Sequence, residues 1–472
     1  MLSCSRSSTV GLDVPRCPAA AELSWLERVA VLAIAVEIPL GIDKYYAYHE
    51  QDAEFGAVAG LGISLTSFAL IFLYVRWFAD ASLHRRRMFF RPLFGVPMLI
   101  YLVVTLLSAL SAVKPILSLF DFALLFHAYA LFIFLANRIQ TRQDIVFCIV
   151  ALATAIVVQV LLMFYAVALG LDGDRTYLGP LLIQVWEGKR YAGSMHAPNL
   201  AGSTLAAIWL PVSASLLFLR NRRVWWFVLA ATMMGLVGIL MTQSRGAVLT
   251  TFIGVVVITA GLMSRRWVPR WAPVLAVLCC FVSLYPLFHF YQNRLSVDDG
   301  GSAASRKHLS LIALEAISQR PIMGYGAGNC HLACRDFADQ AEYRAEWYYT
   351  THCKYLLVWV ETGIVGLLAF LMILATGFWQ GVNVWRSRDP IFSVLGLAVI
   401  ASIVGGMLHM AVDLFNSRAQ VQILWFLLGL NAATFKILYP NRFAQLSRSA
   451  PFSATRLATR LESCSVPSTG SS

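Results

Sequence analysis

The chain reads as an all-α polytopic membrane protein with about twelve transmembrane helices and one large external loop. Three observations predict this. Of 472 residues, 58% are hydrophobic and only 13% are charged, whereas soluble domains carry roughly 25% charged residues. Apolar runs long enough to cross a bilayer, roughly 20 residues each, recur along the sequence. The arginines fall in alternate loops, which is how membrane proteins distribute positive charge. The net charge of +12 is therefore read as loop charge and not as a nucleic-acid footprint.

The spans fall near 23–42, 56–75, 93–111, 116–136, 145–170, 197–219, 224–242, 246–263, 272–291, 355–377, 391–411 and 419–437. Residues 1–22 have no continuous apolar core and read as a cytoplasmic tail. Residues 438–472, rich in Ser, Thr and Arg, read as a disordered cytoplasmic tail. The membrane domain is thus 23–437. Arg76, Arg85, Arg86, Arg87 and Arg91 share one loop, and Arg220, Arg222 and Arg223 another. Arg265, Arg266 and Arg270, then Arg138 and Arg142, then Arg386 and Arg388, keep the alternation. All are cytoplasmic if both termini are, and the first outer loop, DKYYAYHEQDAE, is then acidic.

The same topology turns the longest loop, about 292–353, outward together with Arg190 and Arg245. Those cations run against the general bias. Arg245, in MTQSRGAVLT, is the only charged residue between Arg223 and Arg265. A charge at membrane depth is costly and marks either a functional site or an ion pair. Asp413, Glu361 and Glu187 are the carboxylates that could serve as structural partners, but none is near Arg245 in sequence.

Within the large loop, Leu309, Ile312, Ala313, Ala316 and Ile317 recur at helical spacing. They predict an amphipathic helix over 305–319 lying on the membrane surface. The helix stops at Arg320-Pro321. The glycine cluster Gly324, Gly326, Gly328 has no strand before it, so it reads as a turn re-entering the bilayer and not as a nucleotide loop. His352 opens the tenth span. A lone His at a helix mouth is more often structural, but here Arg190, Arg245 and Arg306 are expected at the same face. Guanidinium forks suit phosphate oxygens, and a neutral His can accept a proton from a hydroxyl. Trp347, Tyr348 and Tyr349 precede His352 and suit either sugar stacking or an interfacial aromatic belt. Nine cysteines include Cys330, Cys334 and Cys353 in the outer loop, where a disulfide is feasible. Cys279 and Cys280 read as core residues.

Four segments resemble the O-antigen ligase and polymerase superfamily of bacterial envelope glycosyltransferases, over about 190–370. Residues 190–193, RYAG, with Pro198 and Asn199, resemble its R-x-x-G and P-N-x-x-A stretch. Ser244-Arg245-Gly246 resembles its S-R-G turn. Ser305-Arg306, followed by Arg320-Pro321 and then Gly324 and Gly326, resembles its helix ending in R-P-x-x-G-x-G. His352 with Tyr355 and Leu356, then Glu361-Thr362-Gly363 and Gly366, resembles H-N-x-Y-L and E-T-G-x-x-G. Cys353 stands where the family has Asn.

The resemblance implies a multi-pass inner-membrane enzyme working at the periplasmic face without cofactor. It implies metal-independent, inverting transfer of a preassembled glycan from undecaprenyl diphosphate to lipid A-core oligosaccharide, with His352 catalytic and Arg190, Arg245 and Arg306 binding substrate. A polymerase of the same superfamily, which would move the glycan to another repeat unit, is the nearest alternative. A lipid-linked glycan flippase is a second; transporters of that kind often show inverted repeats, and none is visible here. A purely structural scaffold leaves Arg245 unexplained.

Overall fold

The computed structural model describes residues 22–58, 60–83, 95–267, 302–338 and 349–440. Both predicted tails, apart from a few residues at their inner edges, lie outside the described residues, as do the span at 272–291, Cys279 and Cys280. The chain is mostly helical. Its elements run α1 (Trp25–Leu40), β1 (Asp43–Tyr46), α2 (Glu50–Glu54), β2 (Leu61–Ser64), α3 (Leu65–Leu83), α4 (Gly95–Leu107), α5 (Pro115–Arg138) and α6 (Arg142–Ala168). There follow β3 (Arg175–Leu178), β4 (Leu181–Trp186), β5 (Arg190–Gly193), α7 (Pro198–Ser215), α8 (Arg222–Met241) and α9 (Arg245–Ser264). The last are α10 (Ser302–Gln319), α11 (Cys330–Ala338), α12 (Lys354–Trp385), α13 (Pro390–Met410) and α14 (Arg418–Leu438).

Among the described residues, seven helices are long and apolar enough to cross a membrane: α5, α6, α8, α9, α12, α13 and α14. The expected spans at 23–42, 93–111 and 197–219 fall on α1, α4 and α7, which are shorter or more polar; of the span expected at 56–75 only the second half lies in a helix, α3, and its residues 61–64 are β2. α14 packs against α5 and α12, and α13 against α9, α12 and α7. Lipid offers apolar groups the same surroundings as a helix partner does, so close backbone approach must hold such helices together. Gly254 of α9 meets Leu210 of α7 so closely that an added Cβ would sit 2.4 Å from Leu210 Cδ2.

Two opposite ends are recognisable by their ion pairs. At one, Arg138 bonds Glu27 (Nε to Oε1, 3.0 Å), Arg142 pairs with Asp389, and Arg265 donates to the Trp385 carbonyl at 2.8 Å. These are arginines that the alternation assigned to one face, and they gather at one end of the bundle. At the other end, Arg418 is gripped by two carboxylates, Glu37 (Nη2 to Oε1, 2.9 Å) and Asp43 (Nε to Oδ1, 2.7 Å).

The loops hold more structure than an all-helical reading anticipates. β1 and β2 form an antiparallel pair, and β3, β4 and β5 an antiparallel sheet. Gly179 (φ +60°) turns β3 into β4, and Gly188 (φ +73°) with Lys189 (φ +55°) turns β4 into β5. The second hairpin matters for function because Arg190 is the first residue of β5, opposite Trp186.

α10 corrects a second expectation. Its apolar stripe is not laid on a membrane surface. Ile312, Ala313, Ala316 and Ile317 are buried against Cys330, Ala333, Leu357 and Val360, that is, against α11 and α12. The helical spacing was legible; the partner was the protein itself. The glycine cluster then docks onto a break in α12. Gly363 there has φ +67°, ψ −174°, outside the helical region. The carbonyls of Val360 and Glu361 accept from Tyr325 N (2.8 Å) and Gly326 N (2.9 Å), while Ile364 N donates to the Pro321 carbonyl at 2.9 Å. A helix broken inside a bilayer protein must have its freed backbone groups satisfied by neighbouring chain, and here residues 321–326 do that. Two of the sequence motifs, R-P-x-x-G-x-G and E-T-G, are thus one mechanical joint. A Cβ on Gly363 would fall 1.9 Å from the Ile322 carbonyl oxygen. We expect Gly363→Ala to cost about 3 kcal/mol or more, read as a lower melting temperature of the detergent-purified protein.

Candidate functional site

The site is built where β5, the turn before α9, the start of α10 and the α13–α14 connection converge. Ser244 caps α9: its Oγ accepts from Ala247 N at 3.3 Å, which places Arg245 in the first helical turn. Gly202 of α7 lets that turn come close, since a Cβ there would lie 2.7 Å from Ala247 Cβ and 2.8 Å from Thr242 Oγ1. Gln243, with φ +52°, donates through Nε2 to the carbonyls of Gly188 (2.9 Å) and Lys189 (3.3 Å). It ties the Arg245 turn to the hairpin that carries Arg190. Arg190 in turn donates through Nη2 to Asn199 Oδ1 at 2.9 Å, so the R-x-x-G and P-N-x-x-A segments also form one unit.

These contacts bring Arg190, Arg245 and Arg306 around a single pocket of about 110 Å³, together with Asn199, Gln243, Ser244, Gly246, His409 and Asp413. Three guanidinium groups and one carboxylate line it. The N-terminus of α9 also opens into it and adds backbone N–H groups and a positive dipole end, which favour an anion. Asp413 is held by its own partners: His409 Nε2 lies 3.4 Å away and Gln420 Nε2 donates at 2.8 Å. Burial pushes its carboxyl up, but the His409 hydrogen bond and charge, with Gln420, outweigh that and keep it below the usual carboxylate range. The ring of His409 lies directly over Gly246, 2.7 Å from where a Cβ would be.

His352 stands beside this pocket, one residue outside the N-cap of α12. Its imidazole is held below the ordinary histidine value, first by burial and then by the Arg306 charge, with Asp413 opposing. Nδ1 is buried and has no hydrogen-bond partner among the described residues. The ring stacks on Tyr349, with centroids 5.2 Å apart and planes at 24°. Trp347 and Tyr348 lie outside the described residues. Cys330 and Cys334 are free thiols one helical turn apart, with sulfurs at 3.7 Å, and Cys353 is also free. Among the described residues, no group of three or more His, Cys, Asp or Glu is placed to hold a metal ion.

The four residues singled out from sequence therefore come together: three around the pocket, and His352 within the electrostatic reach of Arg306 and Asp413. Sequence reasoning missed Gln243 and His409, and weighed Asp413 only as an ion-pair partner. A signal for the last two was present in HMAVD, residues 409–413, which puts His409 and Asp413 one helical turn apart at the end of a span. Gln243 had none, because its bonds run to a hairpin more than 50 positions away.

Residues 229–371 match the family model described as O-Antigen ligase. The match supports membership of the O-antigen ligase superfamily and indicates a glycosyltransferase of the ligase or polymerase type. No curated protein matches the chain.

Proposed function

We propose that this member of the O-antigen ligase superfamily is an O-antigen ligase. It moves a preassembled glycan from undecaprenyl diphosphate to lipid A-core oligosaccharide at the periplasmic face of the bacterial inner membrane. The observation that carries this reading is the convergence of three arginines on one pocket, with a histidine in reach whose imidazole is held below its ordinary value by burial and by one of those arginines. Arg245 and Arg190 hold the diphosphate of the carrier, and Arg306 adds a further phosphate or sugar contact. His352 takes the proton of the acceptor hydroxyl. The acceptor oxygen forms its bond to the anomeric carbon while the bond from that carbon to the diphosphate oxygen breaks, with inversion. The diphosphate leaves with the electron pair, its charge balanced by the arginines without a metal.

Because Gln243 joins the two arginine-bearing segments, Gln243→Ala is expected to weaken binding of inorganic pyrophosphate about tenfold, measured by calorimetry on the purified protein. Unchanged affinity would mean that the hairpin and the turn hold their places independently.

The reading is tested by deleting the gene in its host and separating the extracted lipopolysaccharide on a gel, with lipid-linked glycan extracted in parallel. Bare core with polymer left on the carrier supports the ligase. Core capped by a single repeat, with no ladder, assigns the chain to the polymerases instead. An unchanged pattern removes lipopolysaccharide as the target.

A further inference from the structure

A second, larger cavity is lined by Tyr349, the ring that stacks on His352. Its volume is about 660 Å³, inside the roughly 300–1,000 Å³ range of ligand pockets. Tyr349 stacks on His352 and also lines this cavity, so one ring links the histidine to the cavity, while the charges of Arg306 and Asp413 from the arginine pocket also reach the imidazole. Tyr45, Tyr48 and Phe120 also line it. Tyr48 is 54% exposed and lies 5.7 Å, centroid to centroid, from Tyr45.

Among the described residues, the cavity wall offers no uncommitted cation. Arg418 is committed to Glu37 and Asp43, so nothing there calls for an anion. One polar group is set up and unused. Arg418 Nη1 donates to Gln422 Oε1 at 3.1 Å, which fixes the orientation of that amide. Gln422 Nε2 must then donate to His127 Nδ1, 2.8 Å away. A nitrogen that accepts carries no proton, so His127 is neutral with its hydrogen on Nε2. That Nε2 is buried and has no hydrogen-bond partner among the described residues, and His127 lines the cavity.

Aromatic faces, hydroxyls, a neutral donor and no free cation suit a neutral carbohydrate. Sugar C–H faces lie against rings while their hydroxyls take the donors. A polyprenyl tail would use neither the donor nor the tyrosine hydroxyls. We infer that this cavity binds the saccharide acceptor, with Tyr349 as the platform that delivers its hydroxyl to His352. The inference rests on the transferase reading for which substrate enters here.

The test uses the purified full-length protein in nanodiscs. Transfer is measured with lipid-linked glycan as donor and rough lipopolysaccharide from the deletion host as acceptor. Binding is measured separately, by saturation-transfer NMR with delipidated core oligosaccharide and with the free glycan repeat unit, and donor affinity by displacement of inorganic pyrophosphate. Tyr48→Ala and His127→Leu should each raise the acceptor KM about tenfold and weaken saccharide binding, with donor affinity unchanged. Tyr48→Phe, which keeps the ring, and His127→Gln, which keeps a donor near the Nε2 position, should stay within about threefold of wild type. The saccharide whose binding these variants weaken is the acceptor: core oligosaccharide for a ligase, repeat unit for a polymerase. Unchanged acceptor KM, or loss of donor affinity instead, overturns the cavity assignment while leaving the transferase reading intact. If wild-type protein transfers nothing, that reading fails, and the binding arm still decides: saccharide binding insensitive to Tyr48 and His127 overturns the cavity as well.

Discussion

Arg245→Ala is expected to lower glycan transfer at least about a hundredfold while the protein still inserts and folds. Removing one preorganised donor from a developing oxyanion costs about 10²–10³ in rate, and Arg245 does more than donate. It sits in the first turn of α9, where the helix end already favours an anion, and it lines the pocket with Arg190 and Arg306. Its removal leaves two guanidinium groups facing the Asp413 carboxylate in the same small space. Folding should be little affected, because Ser244, Gln243 and the close approach of Gly202 hold the turn and remain in the variant. Arg245→Lys restores the charge but replaces a planar fork by a point charge, so it should recover only part of the activity. Transfer assays on variants matched for membrane abundance check both. Full activity in Arg245→Ala would remove the diphosphate clamp from the mechanism.

Much of this arrangement is legible in the sequence, for definable physical reasons. An arginine isolated among apolar residues is a local signal, because its solvation penalty can be judged from its neighbours alone. The long spans are legible in the same way, and α5, α6, α8, α9, α12, α13 and α14 all fall where apolar length places them. The stripe on α10 is legible as a helix but not as a contact. Periodicity states that a face is apolar; it does not say whether lipid, α11 or α12 will cover it. The joint at Gly363 is hidden for the same reason. Its glycine is visible, yet the groups that complete the broken helix come from residues 321–326, about 40 positions earlier. Gln243 and the Arg418–Gln422–His127 relay are hidden further still, since each works only through side-chain geometry between distant segments.

The second large effect concerns pH, and its sign follows from the neighbours of His352. As a base, the imidazole must be neutral, so kcat/KM falls when pH drops through its pKa. Burial and then the Arg306 charge hold that pKa below the ordinary histidine value, while Asp413 pulls it up. Transfer should therefore be flat from pH 8 down past about 6.5, the unperturbed value, and decline only below it. The two neighbours then give displacements of opposite sign. Arg306→Gln removes a positive charge that disfavours the imidazolium, so the acid limb should move to higher pH. Asp413→Asn removes the negative charge that favours it, so the limb should move to lower pH. His352→Ala should lose at least about a hundredfold in kcat and keep pyrophosphate binding, since no arginine of the pocket depends on it for a hydrogen bond among those described. A change in overall stability could lower activity in any of these variants, but it could not shift one profile up and the other down. If neither profile moves, the titrating base is another group, and His352 supports the site through its stack on Tyr349 alone.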